Sequence, residues 1–268
     1  MSTLATVTAT GSSSRSTRAR RLRALARAEL TLLSRNKSVI ITALFVPLTL
    51  PFSVRPTARQ MGLRAEGLTM GTVMVTASIG FSMLFAVYSS LVNVFVARRE
   101  ELVLKRLRTG ELGDAEILTG AALPSVCVGL GQSVLLAVGC AVLLDAGVPR
   151  APHLAALGLS SGLALCAALA AVTASFSRTV ESAQVTALPM VAVSLLGSGI
   201  TIPTELLPER IASVCALLPL SPAIRLIRGG WNGGLSVYDT LSAVATAVAW
   251  VVAAVWAVRR WFRWEPRR

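Results

Sequence analysis

Residues 67–97 read GLTMGTVMVTASIGFSMLFAVYSSLVNVFVA and hold no Asp, Glu, Lys or Arg; residues 98–117 follow as RREELVLKRLRTGELGDAEI, with five basic and five acidic side chains. A hydrocarbon core of about 30 Å is crossed by roughly 20 apolar residues in a helix, and a charge at its centre costs a few kcal/mol or more. The first stretch is long enough to cross and the second is too charged to stay inside, so the chain must leave the bilayer at Arg98. Applied outward in both directions, the same criterion finds five more spans. The expected fold is an all-α integral membrane protein with six transmembrane helices, near residues 38–54, 70–97, 117–144, 154–177, 182–202 and 240–258. The first is short and carries Pro47 and Pro51, so it must borrow polar flanks or bend at a proline.

Composition agrees. The chain has 268 residues, 54% hydrophobic and 15% charged, and a mean hydropathy of +0.67, which excludes disorder and most soluble globular proteins. The net charge of +13 could suggest nucleic acid, but the basic residues flank apolar runs and are not interleaved with stacking aromatics, so no nucleic-acid partner is expected. Positive-inside topology explains the charge better. With an even number of spans both termini share one side, and that side holds 19 of the 26 Arg and Lys residues: eight up to Lys37, five from Arg98 to Arg108, Arg178, and five from Arg259 onward. Both termini are therefore expected in the cytoplasm of a multi-pass protein of the plasma membrane, in contact with its lipids.

Residues 1–17 are rich in Ser and Thr and lack the apolar centre of a secretory signal, so a disordered cytoplasmic tail is expected there, with a second short tail at 265–268. Between 18 and 37, Leu22, Leu25, Ala26 and Leu33 share one helical face and Arg20, Arg23 and Arg27 the opposite one, although Glu29 interrupts the apolar side. An amphipathic helix lying in the inner headgroup layer is the reading preferred over a solvated basic helix. Residues 38–264 then form one six-span membrane domain.

Chemistry is sparse. Cys127, Cys140, Cys166 and Cys215 lack metal-ligand spacing and predict neither metal nor disulfide. No GxxxxGK[ST] occurs, since Lys37 follows Asn36 and Lys105 follows Leu104, so any ATP chemistry must come from another chain. Gly158-Leu159-Ser160-Ser161-Gly162 satisfies the GxSxG spacing of a hydrolase nucleophile, with His153 the only candidate base. It is also a GxxxG pattern, and with Cys166, Ala170 and Ala174 following at four-residue steps, Gly158 and Gly162 are expected to serve close helix packing instead. Gln132, Gln184 and Asn93 are expected to join helices by hydrogen bonds.

Two segments stand out. The connector from Arg98 to Ile117 is neutral in total but dense in charge, with Leu102, Leu104, Leu107 and Leu112 keeping apolar contacts available and Asp114 placed to cap the third span. That combination suits docking to another protein. The second segment, between the fifth and sixth spans, carries Pro203, Pro208, Pro219 and Pro222 around an uncharged run, Ile211 to Ile224, too short to cross. It should dip into the outer leaflet or lie on it, with Glu205, Glu209, Arg210, Arg225 and Arg228 at helix ends near the headgroups.

From Arg20 through the sixth span the chain resembles the membrane subunits of type 2 ATP-binding-cassette transporters. The resemblance is carried by Arg99-Glu100-Glu101 through Leu104-Lys105-Arg106-Leu107 to Ala115-Glu116-Ile117-Leu118, and by the series from Pro203 and Leu206-Leu207-Pro208 to Leu218-Pro219-Leu220-Ser221-Pro222 and Arg228-Gly229-Gly230. It implies an elbow helix containing Arg23, Arg27 and Glu29. It implies an ATPase-coupling loop containing Arg99, Glu100, Glu101, Lys105, Arg106, Arg108 and Gly110, and an outer re-entrant element marked by Pro203, Pro208, Pro219, Pro222 and Arg228. It also implies two ATPase subunits binding ATP and magnesium, a second permease subunit that is an identical copy or a paralogue, and no cofactor or catalysis in this chain. Spans built from Ala, Val, Leu and Gly favour a lipophilic or amphipathic compound, such as a drug or antibiotic, over a lipid-linked or polysaccharide substrate.

Overall fold

A computed structural model of the protein describes residues 68–109, 113–144, 146–262 and 264. The expected tails at 1–17 and 265–268, the elbow helix with Arg23, Arg27 and Glu29, the first span and Gly110 lie outside the described residues. Among the described residues the secondary structure is helical throughout, with no strand. Among the described residues, five helices are long and apolar enough to cross a membrane: α1 (Met70–Glu100), α3 (Asp114–Leu143), α4 (Pro152–Phe176), α5 (Val180–Gly197) and α8 (Val237–Trp261). A short helix α2 (Val103–Arg108) follows α1. Between α5 and α8 lie α6 (Glu209–Ala216) and α7 (Ser221–Asn232), bent by 108° against each other.

α1 is the hub. Thr69 opens it, its hydroxyl accepting from the Thr72 amide at 3.1 Å, and α3, α4, α5 and α7 pack around it. Met74, Met83, Leu84, Tyr88, Leu91 and Phe95 are fully buried. Its middle, Met83–Ser89, is wound as a π-helix, and the Ser89 hydroxyl donates to the Leu84 carbonyl five residues earlier at 2.9 Å. The outer helices carry apolar side chains outward, such as Val138 and Val142 on α3, Leu188 and Leu196 on α5, and Val252 and Trp256 on α8. Such outward faces suit lipid or neighbouring helices.

α3 begins differently from expectation. Gly113 is its N-cap, not Asp114, and the Glu116 carboxylate reaches back to accept from the Gly113 amide at 3.0 Å. Asp114 sits one residue inside the helix and pairs instead with Arg108 at 3.1 Å. α5 also ends earlier than the apolar run allows: the chain leaves the helix after Gly197, and Gly199 takes a φ of +77°, a conformation that disfavours a side chain.

Small residues bring α4 and α7 together. A Cβ on Gly158 would lie 2.7 Å from the Ala223 carbonyl oxygen and 2.8 Å from the Ile227 nitrogen, and one on Gly162 would lie 2.7 Å from the Met83 methyl. On the facing helix a Cβ at Gly230 would lie 2.6 Å from the Ala155 nitrogen, and the Gly230 carbonyl accepts from the Ala151 amide at 2.8 Å. Close backbone approach of this kind is how helices gain packing energy where lipid removes the hydrophobic drive. Gln184, by contrast, is exposed on α5, while Gln132 is buried in α3.

Gly158→Val should lower the thermal midpoint of the purified chain in detergent by several degrees, since overpacking costs about 1–3 kcal/mol. Gly131→Ala, where an added Cβ meets nothing within 4 Å, should leave it within about 1 °C, because nothing is displaced and helix propensity improves.

Candidate functional site

One end of the bundle gathers the connector. α1 stops at Glu100, and Leu102 turns the chain with a φ of +59°, the one positive value at a non-glycine residue among those described. That left-handed conformation costs a branched residue of order 1–3 kcal/mol, so the turn must be held by what surrounds it. Two anchors do so. Leu104 of α2 is fully buried, and the Arg99 guanidinium, also buried, donates to the Ala174 carbonyl at 2.8 Å and to the Ser177 carbonyl at 2.5 Å. Those carbonyls belong to the end of α4, where the helix has no amides left to satisfy them and where its dipole favours a cation.

Arg99 is therefore a positioning residue whose side chain is turned inward. Glu100, Glu101, Lys105, Arg106 and Arg108 are exposed, and Leu102 adds an apolar side chain that is 40% exposed. Arg108 also lies over the Trp264 ring, its guanidinium carbon 4.9 Å from the centroid, and Phe176 meets Trp261 with ring centroids 5.9 Å apart. The connector, the turn between α4 and α5, and the end of α8 thus share one end of the molecule.

The opposite end holds the bent pair. Pro203 precedes a 3-10 turn (Thr204–Leu206) and Pro208 caps α6. Pro219 lies in the break, and Pro222 sits in the first turn of α7, where a proline costs no hydrogen bond. Across the break the Ser221 hydroxyl donates to the Cys215 carbonyl. The Trp250 indole donates to the Leu217 carbonyl at 2.8 Å. Trp250 lies about 20 Å along α8 from Val237 at 1.5 Å per residue, so the tip of the pair reaches far down the last span.

Arg225 and Arg228 are not at helix ends as expected. They lie inside α7, which runs on to Asn232 before Gly233 closes it at a φ of +70°. Arg228 is buried, 3% exposed; it donates to Glu205 at 2.6 Å and to the Gly199 carbonyl, tying the loop after α5 to α7. Arg225 pairs with Asp239 at 2.7 Å, and Asp239 in turn accepts from Ser236, the N-cap of α8. Between α6, α7 and α8 opens a cavity of about 790 Å³, lined among others by Ser198, Glu205, Arg225, Arg228, Ser242 and Thr246.

Ser242 and Thr246 escaped the sequence reading, although Asp239, Ser242, Thr246 and Trp250 recur at helical spacing and make one polar stripe on the last span. Ser160 and His153 are not brought together. Both lie on α4, about 10 Å apart along its axis, and the Ser160 hydroxyl donates to the Leu157 carbonyl at 3.1 Å. Gly158 and Gly162 face α7 and the π segment.

Residues 20–231 match the family described as ABC-2 type transporter. No curated protein is significantly similar to the chain.

Truncating the two arginines of α7 should have unequal effects. Arg228→Met leaves the Gly199 carbonyl without its donor and Glu205 without its cation and should cost about 1–3 kcal/mol. Arg225→Met removes a pair whose partners are each 38% exposed and should cost no more than about 1 kcal/mol. Thermal unfolding of the full chain in detergent measures both.

Proposed function

The chain belongs to the ABC-2 type transporter family, a multi-pass membrane component, and from that premise we propose that it is the permease subunit of an exporter driven by a separate ATPase. The observation that carries this reading is the connector: a short basic helix preceded by the exposed Glu100 and Glu101, anchored by the buried Leu104 and by Arg99 on the end of α4. A surface meant to receive force from a partner must be accessible outside and rigidly joined inside, and Glu100, Glu101, Lys105 and Arg106 on that clamped turn meet both conditions. Two ATPase subunits holding ATP and magnesium would dock on the connectors of this chain and of a second permease, an identical copy or a paralogue. Gly110 would complete the loop, and Arg23, Arg27 and Glu29 would lie on an elbow helix in the inner headgroups.

The charge distribution supports a cytoplasmic connector in the plasma membrane. Among the described residues, that end carries Arg98, Arg99, Lys105, Arg106, Arg108, Arg178, Arg259 and Arg260; the other carries Arg150, Arg210, Arg225 and Arg228. Transport would run outward, with the bent pair of α6 and α7 at the exit. The apolar spans favour a lipophilic or amphipathic compound such as a drug or antibiotic; a lipid-linked or polysaccharide cargo is the second candidate, because the hydroxyls of Ser242 and Thr246 line the outer cavity.

A photo-reactive group at Glu101 should capture, from native membranes, a protein that carries a GxxxxGK[ST] phosphate loop. Arg106→Glu should lower ATP-driven uptake of the cargo into inside-out vesicles at least tenfold without changing the amount of chain in the membrane. Transport by the purified chain reconstituted with no ATPase would overturn the reading.

A further inference from the structure

The last span does not release the chain at its final turn. α8 ends at Trp261, Phe262 takes an extended conformation, and alternation along extended backbone puts Phe262 and Trp264 on one side. That side faces the protein. The Phe262 ring meets Phe95, a buried residue of α1, nearly edge to face with centroids 6.5 Å apart, and meets the Trp264 ring in the same way at 5.0 Å. An interfacial tryptophan ordinarily lays its ring among the headgroups, but Trp264 is half-buried and its plane is set by Phe262. Over that ring lies Arg108, the last residue of α2, with its guanidinium carbon 4.9 Å from the centroid, inside the roughly 6 Å over which a ring attracts a cation.

Arg108 uses its charge twice. Its Nε donates to Asp114, in the first turn of α3, at 3.1 Å, while the same group lies over Trp264. A planar guanidinium can donate in its plane and stack on a ring at once, which a lysine ammonium cannot do. The Arg108 and Asp114 side chains are 52% and 53% exposed, so their ion pair alone holds the far end of the connector weakly; Arg99 and Leu104 hold the near end. We propose that Trp264 is a positioning residue of the connector: its ring fixes Arg108, and through it the far end of the docking turn, to the last span. The role in docking rests on the connector being the ATPase's docking site; the clasp itself is made by this chain alone. α8 also reaches the bent pair, through Trp250 and Asp239, so the clasp gives the connector a second route to that pair beside the one through α4.

Hydrogen exchange followed by mass spectrometry on the full chain in detergent tests the clasp. Trp264→Leu keeps apolar bulk but has no π face. In it the Arg106 and Thr109 amides, bonded to the Leu102 and Lys105 carbonyls, should exchange about two- to fivefold faster, as expected for loss of one exposed cation–π contact, with α1 and α4 unchanged. Trp264→Phe should retain most of the protection. Arg108→Met should speed the same amides, and adding Trp264→Leu to it should do nothing further, whereas a ring that only packs the tail would add its own effect. A photo-reactive group at Lys105, exposed on α2, reads the consequence for docking: capture of the protein carrying the GxxxxGK[ST] loop should fall at least twofold in Trp264→Leu and recover in Trp264→Phe. Unchanged exchange in Trp264→Leu, an effect as large in Trp264→Phe, additivity with Arg108→Met, acceleration that spreads to α1 and α4, or capture as efficient in Trp264→Leu as in the parent chain would each overturn the proposal. No capture from the parent chain would remove the ATPase reading instead, and the exchange result would then decide the clasp.

Discussion

A helix that ends in or near a bilayer leaves carbonyls that no water can reach, and much of this architecture follows from how those carbonyls are satisfied. At both ends of the bundle the donor is a buried arginine from another helix. Arg99, at the end of α1, serves the last carbonyls of α4, and Arg228, within α7, serves the carbonyl just beyond α5. Each guanidinium fixes a point where regular structure stops, so that the connector and the bent pair are both tied to a neighbouring span. The same side chain that interrupts the apolar pattern completes the fold.

The glycines do the complementary work between the ends. Gly158 on α4 admits α7 to backbone distance, Gly162 admits Met83 of α1, and Gly230 on α7 admits α4 in return. A helix carrying two arginines is an unusual neighbour for an apolar span, but α7 approaches closely enough for dispersion to hold it while its charges turn toward Glu205 and Asp239. Connector and bent pair are thereby joined through one continuous set of contacts: Arg99 to the end of α4, α4 to α7, α7 to the loop after α5.

The spans were legible because bilayer thickness imposes a length and a charge limit that any sequence displays, and α1, α3, α4, α5 and α8 fall on the apolar runs to within a few residues. The family resemblance read from the connector and the proline series agrees with the match over residues 20–231. What a linear pattern could not show was the direction of a side chain. Arg99 and Arg106 look alike in a charged loop, but one is buried under α4 and the other exposed. Arg225 and Arg228 looked like a helix boundary because a charge usually ends an apolar run; inside α7 they persist because carboxylates from distant segments meet them. Asp114 had the chemistry of a cap, but the turn at Gly113 placed it one residue too late. The stripe from Asp239 to Trp250 was visible in spacing, but past the charged Asp239 its members Ser242, Thr246 and Trp250 are each only mildly polar.

The π-wound stretch in the middle of α1 has a consequence for the shape of the whole. A π turn accommodates one residue more than an α turn, so the part of α1 that meets Arg99's partners is set at a different phase from the part that begins at Thr69. Loss of one residue between Met83 and Ser89 could be taken up by rewinding to a regular helix, leaving Phe95 and Arg99 aimed as before. Loss of a residue from Ser90–Glu100 would swing the far end of the hub by about 100° and point the guanidinium away from α4. The unwound middle is thus the one place along this helix where the chain can change its length without changing its aim.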